Sequence, residues 1–190
     1  MLYNPDECFP GSRKGEFKIK LDTTIPATSF DVAVMSMETI ELPDATPSHF
    51  VKSTLLSIAA PGATGEFDVE LPIGNDLLAI LFGLAAFPTT GDVIYTVDDW
   101  KVLVDNIEHQ LASSKTPALL ADIILRQNKV IDDIPEYALA CADYYGWLDF
   151  DPTKDGKFAI HTDNFNSVKL RCNYGENAAI NVIPIELVSV

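Results

Sequence analysis

The chain alternates apolar and polar residues over many short segments, which is the period of a β-strand with one buried face. The segment EFDVEL places Phe67, Val69 and Leu71 opposite its acidic residues, and the segment 77–87 that follows is apolar on both faces. The intervening Gly-Asn-Asp predicts a hairpin turn, because Gly and Asn tolerate positive φ. Roughly ten such strand segments, separated by Pro and Gly, are typical of a sandwich or closed barrel. We therefore predict a mainly β fold in which 77–87 is a central strand, covered on both faces.

One segment has the period of a helix instead. TPALLADIILRQN begins with Thr116 as a predicted N-cap and Pro117 at the first helical position. The apolar residues predicted to pack on the sheet lie along one helical face: Leu119, Leu120, Ile123 and Ile124. A second short helix is predicted over 135–147, ending near Gly146. Either the first helix or a neighbouring subunit could cover the apolar strand, and the sequence leaves both alternatives open.

The last predicted strand changes its apolar face along its length. Ile180 and Val182 share one face, whereas the apolar residues after them share the other. Pro184 follows this change directly and has no N–H to donate to a neighbouring strand. The pattern predicts a bulge or an edge position at Val182–Ile183.

Composition and charge narrow the classes of partner. The 190 residues are 47% hydrophobic and 22% charged, which predicts one folded domain with a sizeable core. A formal net charge of −15 argues against binding nucleic acid or an anionic membrane surface. Three widely spaced cysteines predict reduced thiols, no secretion signal is visible, and the 11-residue apolar run is too short to span a bilayer as a helix. We expect synthesis in a cytoplasm.

Motifs for catalysis are absent from the sequence. It contains no Gly-x-Ser-x-Gly turn, no phosphate-binding loop and no dinucleotide fingerprint. His49, His109 and His161 are isolated in sequence, so a cupin-like metal enzyme would require all three to converge with acidic residues in space. We therefore predict that the protein is not an enzyme and needs no cofactor.

The segment DFDPTKDGKF contains the best candidate for a metal site. The first half of a calcium-binding loop is matched by Asp151, Thr153, Asp155 and Gly156. Thr162 stands where such a loop closes with an acidic ligand, so Asp149 or Asp163 would have to replace it. The same residues also form an ordinary turn between strands, which we take as the simpler interpretation.

The aromatic segment DYYGWLDF, residues 143–150, allows a carbohydrate-binding alternative. Exposed Tyr and Trp rings can stack on sugar rings, but adjacent aromatic residues also pack around a corner of a core. The sequence favours packing.

The order of these segments resembles that of the jelly-roll capsid proteins of tailless icosahedral viruses. The segments that carry the resemblance are GEFDVELPIGNDLLAILFGL, WKVLVDNIEHQL, TPALLADIIL, GWLDFDP and AIHTDNFNSVKLRCNYG. The resemblance spans residues 15–190 and leaves 1–14 as an N-terminal arm. It implies a single jelly-roll β-sandwich of about eight core strands in two sheets, with one or two short helices inserted late in the chain.

The resemblance also implies a function. We expect a structural virion protein that assembles with itself, in trimeric or pseudo-hexameric units, and with other capsid proteins into an icosahedral shell. The strand expected either to contact another subunit or to be covered includes Leu78, Ile80, Phe82 and Leu84. The alternative is a viral spike, receptor-binding or lectin-like β-sandwich that binds a ligand through Tyr144–Phe150 or the Asp149–Asp155 loop.

Overall fold

A computed structural model describes residues 8, 9, 42, 45–84, 96–109, 114–119, 145–153 and 155–190. The chain divides into two compact units, residues 1–50 with Val190, and residues 51–189. In the first unit, the rings of Phe9 and Phe50 meet edge to face with centroids 5.6 Å apart. The second unit contains both β-sheets, apart from the first two residues of the first strand.

The described residues form eleven strands. Their bounds are β1 His49–Ser53, β2 Leu56–Ile58, β3 Gly65–Glu70, β4 Asp76–Leu84, β5 Val97–Val104, β6 Ile107–Glu108, β7 Ser114–Lys115, β8 Tyr145–Asp149, β9 Ile160–His161, β10 Val168–Tyr174 and β11 Ile180–Ser189. A 3-10 turn covers Thr162–Asn164, and residues 116–119 are helical.

These strands form two sheets. In sheet A the order is β1-β11-β4-β8, with β2 also beside β11 and β9 also beside β4. In sheet B the order is β3-β10-β5-β6, with β7 also beside β5. Both members of a pair of short strands bond to the same neighbour in three cases: β1 and β2, β6 and β7, and β8 and β9. Each such pair therefore counts as one position, which leaves eight positions along the chain. Counted by position, the order is 1-8-3-6 in sheet A and 2-7-4-5 in sheet B.

This order follows from folding one long antiparallel hairpin. Position 1 pairs with 8, 2 with 7, 3 with 6 and 4 with 5, and each of these pairs is antiparallel where its register is defined. Rolling the four pairs up brings 8 beside 3 and 7 beside 4, as observed for β11 with β4 and β10 with β5. The predicted jelly-roll sandwich is thus confirmed.

The core lies between the two sheets. The Phe82 ring of sheet A packs on the Trp100 ring of sheet B, with centroids 3.6 Å apart. The Trp100 indole Nε1 donates a hydrogen bond to the Thr116 hydroxyl (2.9 Å), which donates to the Val97 carbonyl. The predicted cap residue of the helix therefore anchors the start of the helix to β5.

The apolar strand β4 is central in its sheet, as predicted, with β11 on one side and β8 on the other. Ile80 and Phe82 face the second sheet and are buried in the core. A register shift between Ile185 and Glu186 of β11 lies opposite residues 77–79 of β4. It lets Leu77 reach the core as well, although it stands an odd number of residues from Ile80.

The connection between β3 and β4 is not the predicted hairpin turn, because the two strands lie in different sheets. Gly74 has a φ of +103°, so the prediction of positive φ was correct at this glycine. The Thr162 hydroxyl accepts a hydrogen bond from Gly74 N (2.9 Å) and donates one to the Asn75 carbonyl (2.5 Å). Contacts with a distant segment thus shape a connection whose sequence resembles a hairpin turn.

Among the roughly ten strand segments that the alternation predicts, DDWKVLVDNIEHQL counts as one, but the structure shows two strands there. Val104 of β5 pairs with Ile107 of β6, so the intervening loop has two residues. Asp105 and Asn106 have φ values of +49° and +66°, as a type I′ hairpin turn requires. Asp-Asn was the signal that sequence analysis missed.

Two other predictions need correction. The last strand alternates without a break from Ile180 to Glu186, so it has no bulge at Val182–Ile183, and it is not an edge strand. The register shift beside Ile185–Glu186 leaves Leu78 of β4 as the extra residue. The Pro184 carbonyl accepts from Thr54 N (3.2 Å), where β1 ends and β2 has not begun, so the missing proline N–H faces a break in the neighbouring strand. The helix predicted to end near Gly146 is wrong over 145–147, which belong to β8.

Several predicted features lie outside the described residues. They are the predicted strand segments EFKIKLDT and FDVAVMSMETIEL, except for Leu42 at the end of the second, the helical residues Leu120, Ile123 and Ile124, and the rest of the second predicted helix. The division into an arm of 1–14 and a domain of 15–190 stays a prediction.

Candidate functional site

The outer face of sheet B is covered with charges that pair with one another. Arg171 binds both carboxylate oxygens of Asp68, with Nε–Oδ1 at 2.6 Å and Nη2–Oδ2 at 2.9 Å. The flanking strands add further ion pairs: Lys169–Glu70, Lys101–Glu66, Arg171–Glu66 and Lys115–Asp99. Such a face keeps its water and offers little apolar area to a partner.

The strongest of these pairs changes the titration of its members. The Arg171 guanidinium hydrogen-bonds the Asp68 carboxylate and lowers the pKa of Asp68 below its ordinary value of 3.8. The same bond raises the pKa of Arg171. Both effects favour the charged pair at neutral pH.

The outer face of sheet A is apolar along its centre, with Asp149 beside Ala79 and Asn181 beside Gly83 as polar residues on the same face. In register across β11, β4 and β8, Ile183, Leu81 and Trp147 form one outward row, and each is half-buried. Ile185 and Ala79 belong to the next row, and Ala79 is buried although it lies outside the core cluster. The two faces of the sandwich thus differ sharply in chemistry.

Apolar exposure continues at the edge of sheet A that β1 and β2 form. Val51 is 49% exposed and Leu55, between the two strands, is 61% exposed. Large apolar side chains this exposed beside an apolar sheet face are typical of a protein contact surface. We name the outer row Ile183, Leu81 and Trp147, together with Val51 and Leu55, the apolar surface.

The predicted contact strand contributes mostly to the chain's own core. Ile80 and Phe82 are buried against the second sheet, and Leu78 is half-buried at the bulge. The side chain of Leu84 lies outside the described residues. Of the four predicted helix residues, Leu119 is buried in the core cluster.

The predicted calcium loop is held by hydrogen bonds between its own residues. Asp149 accepts from Asp151 N (3.1 Å), and Asp151 accepts from Gly156 N (2.9 Å). The Lys157 ammonium, 2.6 Å from Asp155, lowers the pKa of Asp155 to about 2, with a smaller contribution from the Thr153 hydroxyl. Within the described ranges, no three His, Cys, Asp or Glu side chains come together in a group that could hold a metal ion. The ordinary turn stays our prediction for this segment, with calcium binding as its alternative.

A cleft of about 280 Å³ lies beside this loop and is lined by His109, Asp149, Phe150, Pro152 and Phe158. Phe158 is 49% exposed, whereas Phe150 is buried. Of the predicted aromatic segment, Phe150 packs in the core and Trp147 lies in the outer row of sheet A. The exposed ring at the cleft is Phe158, which lies outside that segment.

The remaining candidate residues are widely separated. His49 contacts the Ser48 hydroxyl (2.8 Å), and His161 contacts Asp76 (2.7 Å) at the start of β4. Cys172 is buried in the core, and burial raises the pKa of its thiol. In the part of the chain that the structure describes, no helix is long and apolar enough to cross a membrane.

Sequence analysis missed one polar group at the end of β11. Glu186 is 1% exposed, and its neighbours are Asn75 and Lys52. These residues are far apart in sequence, and a glutamate in an alternating strand is expected at the surface. Its position continues the buried face of β11 that Ile180, Val182 and Pro184 form, and this alternation is the signal that could have placed it inside.

Comparison with known proteins finds similarity at the level of structure. The chain is similar to the crystal structure of the major capsid protein P2 from bacteriophage PM2, with a TM-score of 0.50 and 14% identity over 73% of this chain and 52% of that chain. It shares a jelly-roll fold with a viral capsid protein. No family model and no curated protein sequence matches.

Two further structures match over 73% of this chain and 47% of their own chains. They are the PBCV-1 virus capsid, with a TM-score of 0.44 and 10% identity, and PBCV-1 VP54 fitted into a reconstruction of the virophage Sputnik, with a TM-score of 0.46 and 8% identity. The chain spans about half the length of the structures it matches.

Proposed function

We propose that the protein is a structural capsid subunit that assembles with copies of itself, and with other capsid chains, into the icosahedral shell of a virion. The observation that carries the proposal is the contrast between the two outer faces of the jelly roll. The outer face of sheet A is apolar and partly exposed, and the outer face of sheet B is a network of paired charges. A subunit that contacts its neighbours through one side needs this asymmetry, whereas a free monomer gains nothing from it.

Closed shells repeat a small set of contacts, so we propose trimeric or pseudo-hexameric units as the first assembly product. A net charge of −15 opposes direct contact with the genome or with anionic lipid. The protein is proposed to have no enzymatic activity and to be made in the host cytoplasm.

Light scattering of the purified chain tests this proposal. The average molar mass is expected to rise with concentration from the monomer to a trimer or a larger species. Salt should promote the rise, because it screens repulsion between subunits that each carry −15 and does not weaken apolar contacts. Leu55→Asp should abolish it, because burying a carboxylate in an apolar contact is costly.

Asn106→Asp is the matched control. It adds the same charge at an exposed turn next to sheet B, where Asp tolerates positive φ, and should assemble like the wild type. A monomer at every concentration and salt would contradict the proposal. Equal loss of assembly in both variants would show that charge, and not the apolar surface, is responsible.

The cleft at Phe158 favours a second candidate function, binding of a small sugar. Exposed Phe158 and Pro152 offer apolar walls for a sugar ring, and Asp149 and His109 offer polar groups at the same cleft. Titration calorimetry against a panel of mono- and disaccharides should then give saturable heat that Phe158→Ala removes. No heat with any sugar would exclude this candidate for the sugars tested.

A further inference from the structure

The carboxylate of Glu186 lies inside the end of the sandwich. It is 1% exposed and stands in register with Leu77, which is fully buried on the neighbouring strand. Burying a carboxylate is costly unless its oxygens are paired and hydrogen-bonded. Its two oxygens therefore need hydrogen-bonding or positively charged partners, and the chemistry of these partners indicates what the carboxylate can do.

Two side-chain nitrogens from distant parts of the chain meet this carboxylate. Asn75 Nδ2 donates to Oε1 at 2.9 Å. Lys52 Nζ lies 3.5 Å from Oε2, which accepts no hydrogen bond from the residues that the structure describes. Half of the Lys52 side chain is exposed (48%), so the amine reaches the buried carboxylate from the rim. One strand, one turn and a second strand thus hold an amine and a carboxamide on either side of one acid.

We propose that Lys52 and Asn75 join in an isopeptide bond, with Glu186 as the group that moves the proton. Glu186 takes a proton from the Lys52 ammonium, and the free amine attacks Asn75 Cγ. The Nζ–Cγ bond forms, the Cγ–Nδ2 bond breaks, and Glu186 returns the proton to the departing nitrogen. The second proton that Nζ loses on becoming an amide leaves with the ammonia as ammonium. Glu186 is regenerated as a carboxylate, and the exchange of one amide for another requires no oxidant or reductant.

The fold supplies what this reaction needs. The two reacting groups, on β1 and on the turn before β4, both contact the carboxylate of Glu186, and holding groups in place beforehand removes much of the entropic barrier to their reaction. The acid is shielded by the core, which limits competing hydrolysis of Asn75 by water. The bond would join β1, an edge strand, to the start of β4 across β11 and close one open end of the sandwich.

Intact mass spectrometry of the denatured full chain tests the proposal directly. Loss of one ammonia should lower the mass by about 17 Da relative to the sequence. After proteolysis, the segments containing Lys52 and Asn75 should be recovered as one branched peptide. Lys52→Arg retains the charge beside Glu186 and Glu186→Gln retains the shape, and both variants should show the full sequence mass.

Lys101→Arg serves as the control, because Lys101 is also ion-paired but lies on sheet B. It should show the same mass loss as the wild type. A wild-type chain at full mass would overturn the proposal. So would a mass loss that persists in Lys52→Arg, because Asn75 can also lose ammonia by cyclising onto the backbone of Asp76.

Discussion

Gly146 makes room for the contact between the Phe82 and Trp100 rings, which joins the two sheets. It lies directly opposite Phe82 in register, and a Cβ at this position would stand 1.9 Å from the Phe82 ring. The ring cannot move away easily, because Trp100 packs on it from the other sheet. One residue without a side chain thus allows two large rings to stack across the core.

Gly146→Ala should therefore destabilise the fold. Overpacking a filled core costs about 1–3 kcal/mol, and denaturant unfolding would measure the loss. Adding Phe82→Leu, which removes the ring that the new Cβ meets, should recover part of it. A single variant as stable as the wild type would contradict the proposed packing.

The Asp68–Arg171 pair should make the fold sensitive to acid. Because the pKa of Asp68 is lower in the folded chain than its ordinary 3.8, the pair contributes its full stability above that value. The contribution is lost as the pH falls through the folded pKa. Asp68→Asn should cost about 0.2–1 kcal/mol at pH 7, a small value because both side chains are partly exposed.

The difference between wild type and Asp68→Asn should shrink steadily below pH 3.8. Urea unfolding at a series of pH values measures it. A difference that stays constant down to the lowest pH would mean that the charge of Asp68 does not stabilise the fold.

At the scale of the element, the turn between β5 and β6 links two loops at one end of the sandwich. Asp105 accepts from Asn166 N (2.9 Å) and Ser167 N (3.1 Å), just before β10 begins. Asn106 completes the turn with a φ of +66°. The hairpin thus also fixes where β10 enters its sheet.

Substitutions at Asn106 should follow its backbone conformation. Asn106→Gly should be neutral or should stabilise the fold by up to about 1 kcal/mol, because glycine has no Cβ to strain at positive φ. Asn106→Val should destabilise it by a similar or larger amount. Thermal unfolding of the two variants measures both changes, and a valine variant as stable as the glycine variant would contradict the observed turn.

The sequence predicted those elements that its own alternation defines. Strands β3, β10 and β11 and the central place of β4 follow from apolar periodicity, and the structure confirms them. Prediction from the sequence failed where the pairing with a neighbouring strand decides the structure. The β3–β4 connection resembles a hairpin turn, yet each strand pairs in its own sheet, and Gly146 is part of a strand that faces Phe82.

The candidate surfaces were harder to predict from the sequence than the strands. Leu81 and Ile80 are both apolar neighbours in one strand, and only the register shows that one faces outward and the other inward. Glu186 reaches the interior because it continues the alternation of Ile180, Val182 and Pro184 along β11. Alternation alone gives two faces and does not say which one meets the other sheet.

At the scale of the whole molecule, the jelly roll has one charged face and one apolar face. The charged face satisfies its own pairs, so the apolar surface is the side that gains from a neighbour. Repetition of such a contact around symmetry axes gives a closed shell, whereas a contact that does not close gives open aggregates. The form of the assembled product therefore distinguishes capsid assembly from non-specific aggregation.

Electron microscopy of the concentrated, purified chain in high salt tests this account most directly. We expect closed particles of uniform diameter, or a uniform population of their trimeric or hexamer-like building units, and neither from Leu55→Asp. Monomers alone, or irregular aggregates that the Leu55→Asp variant also forms, would contradict the account.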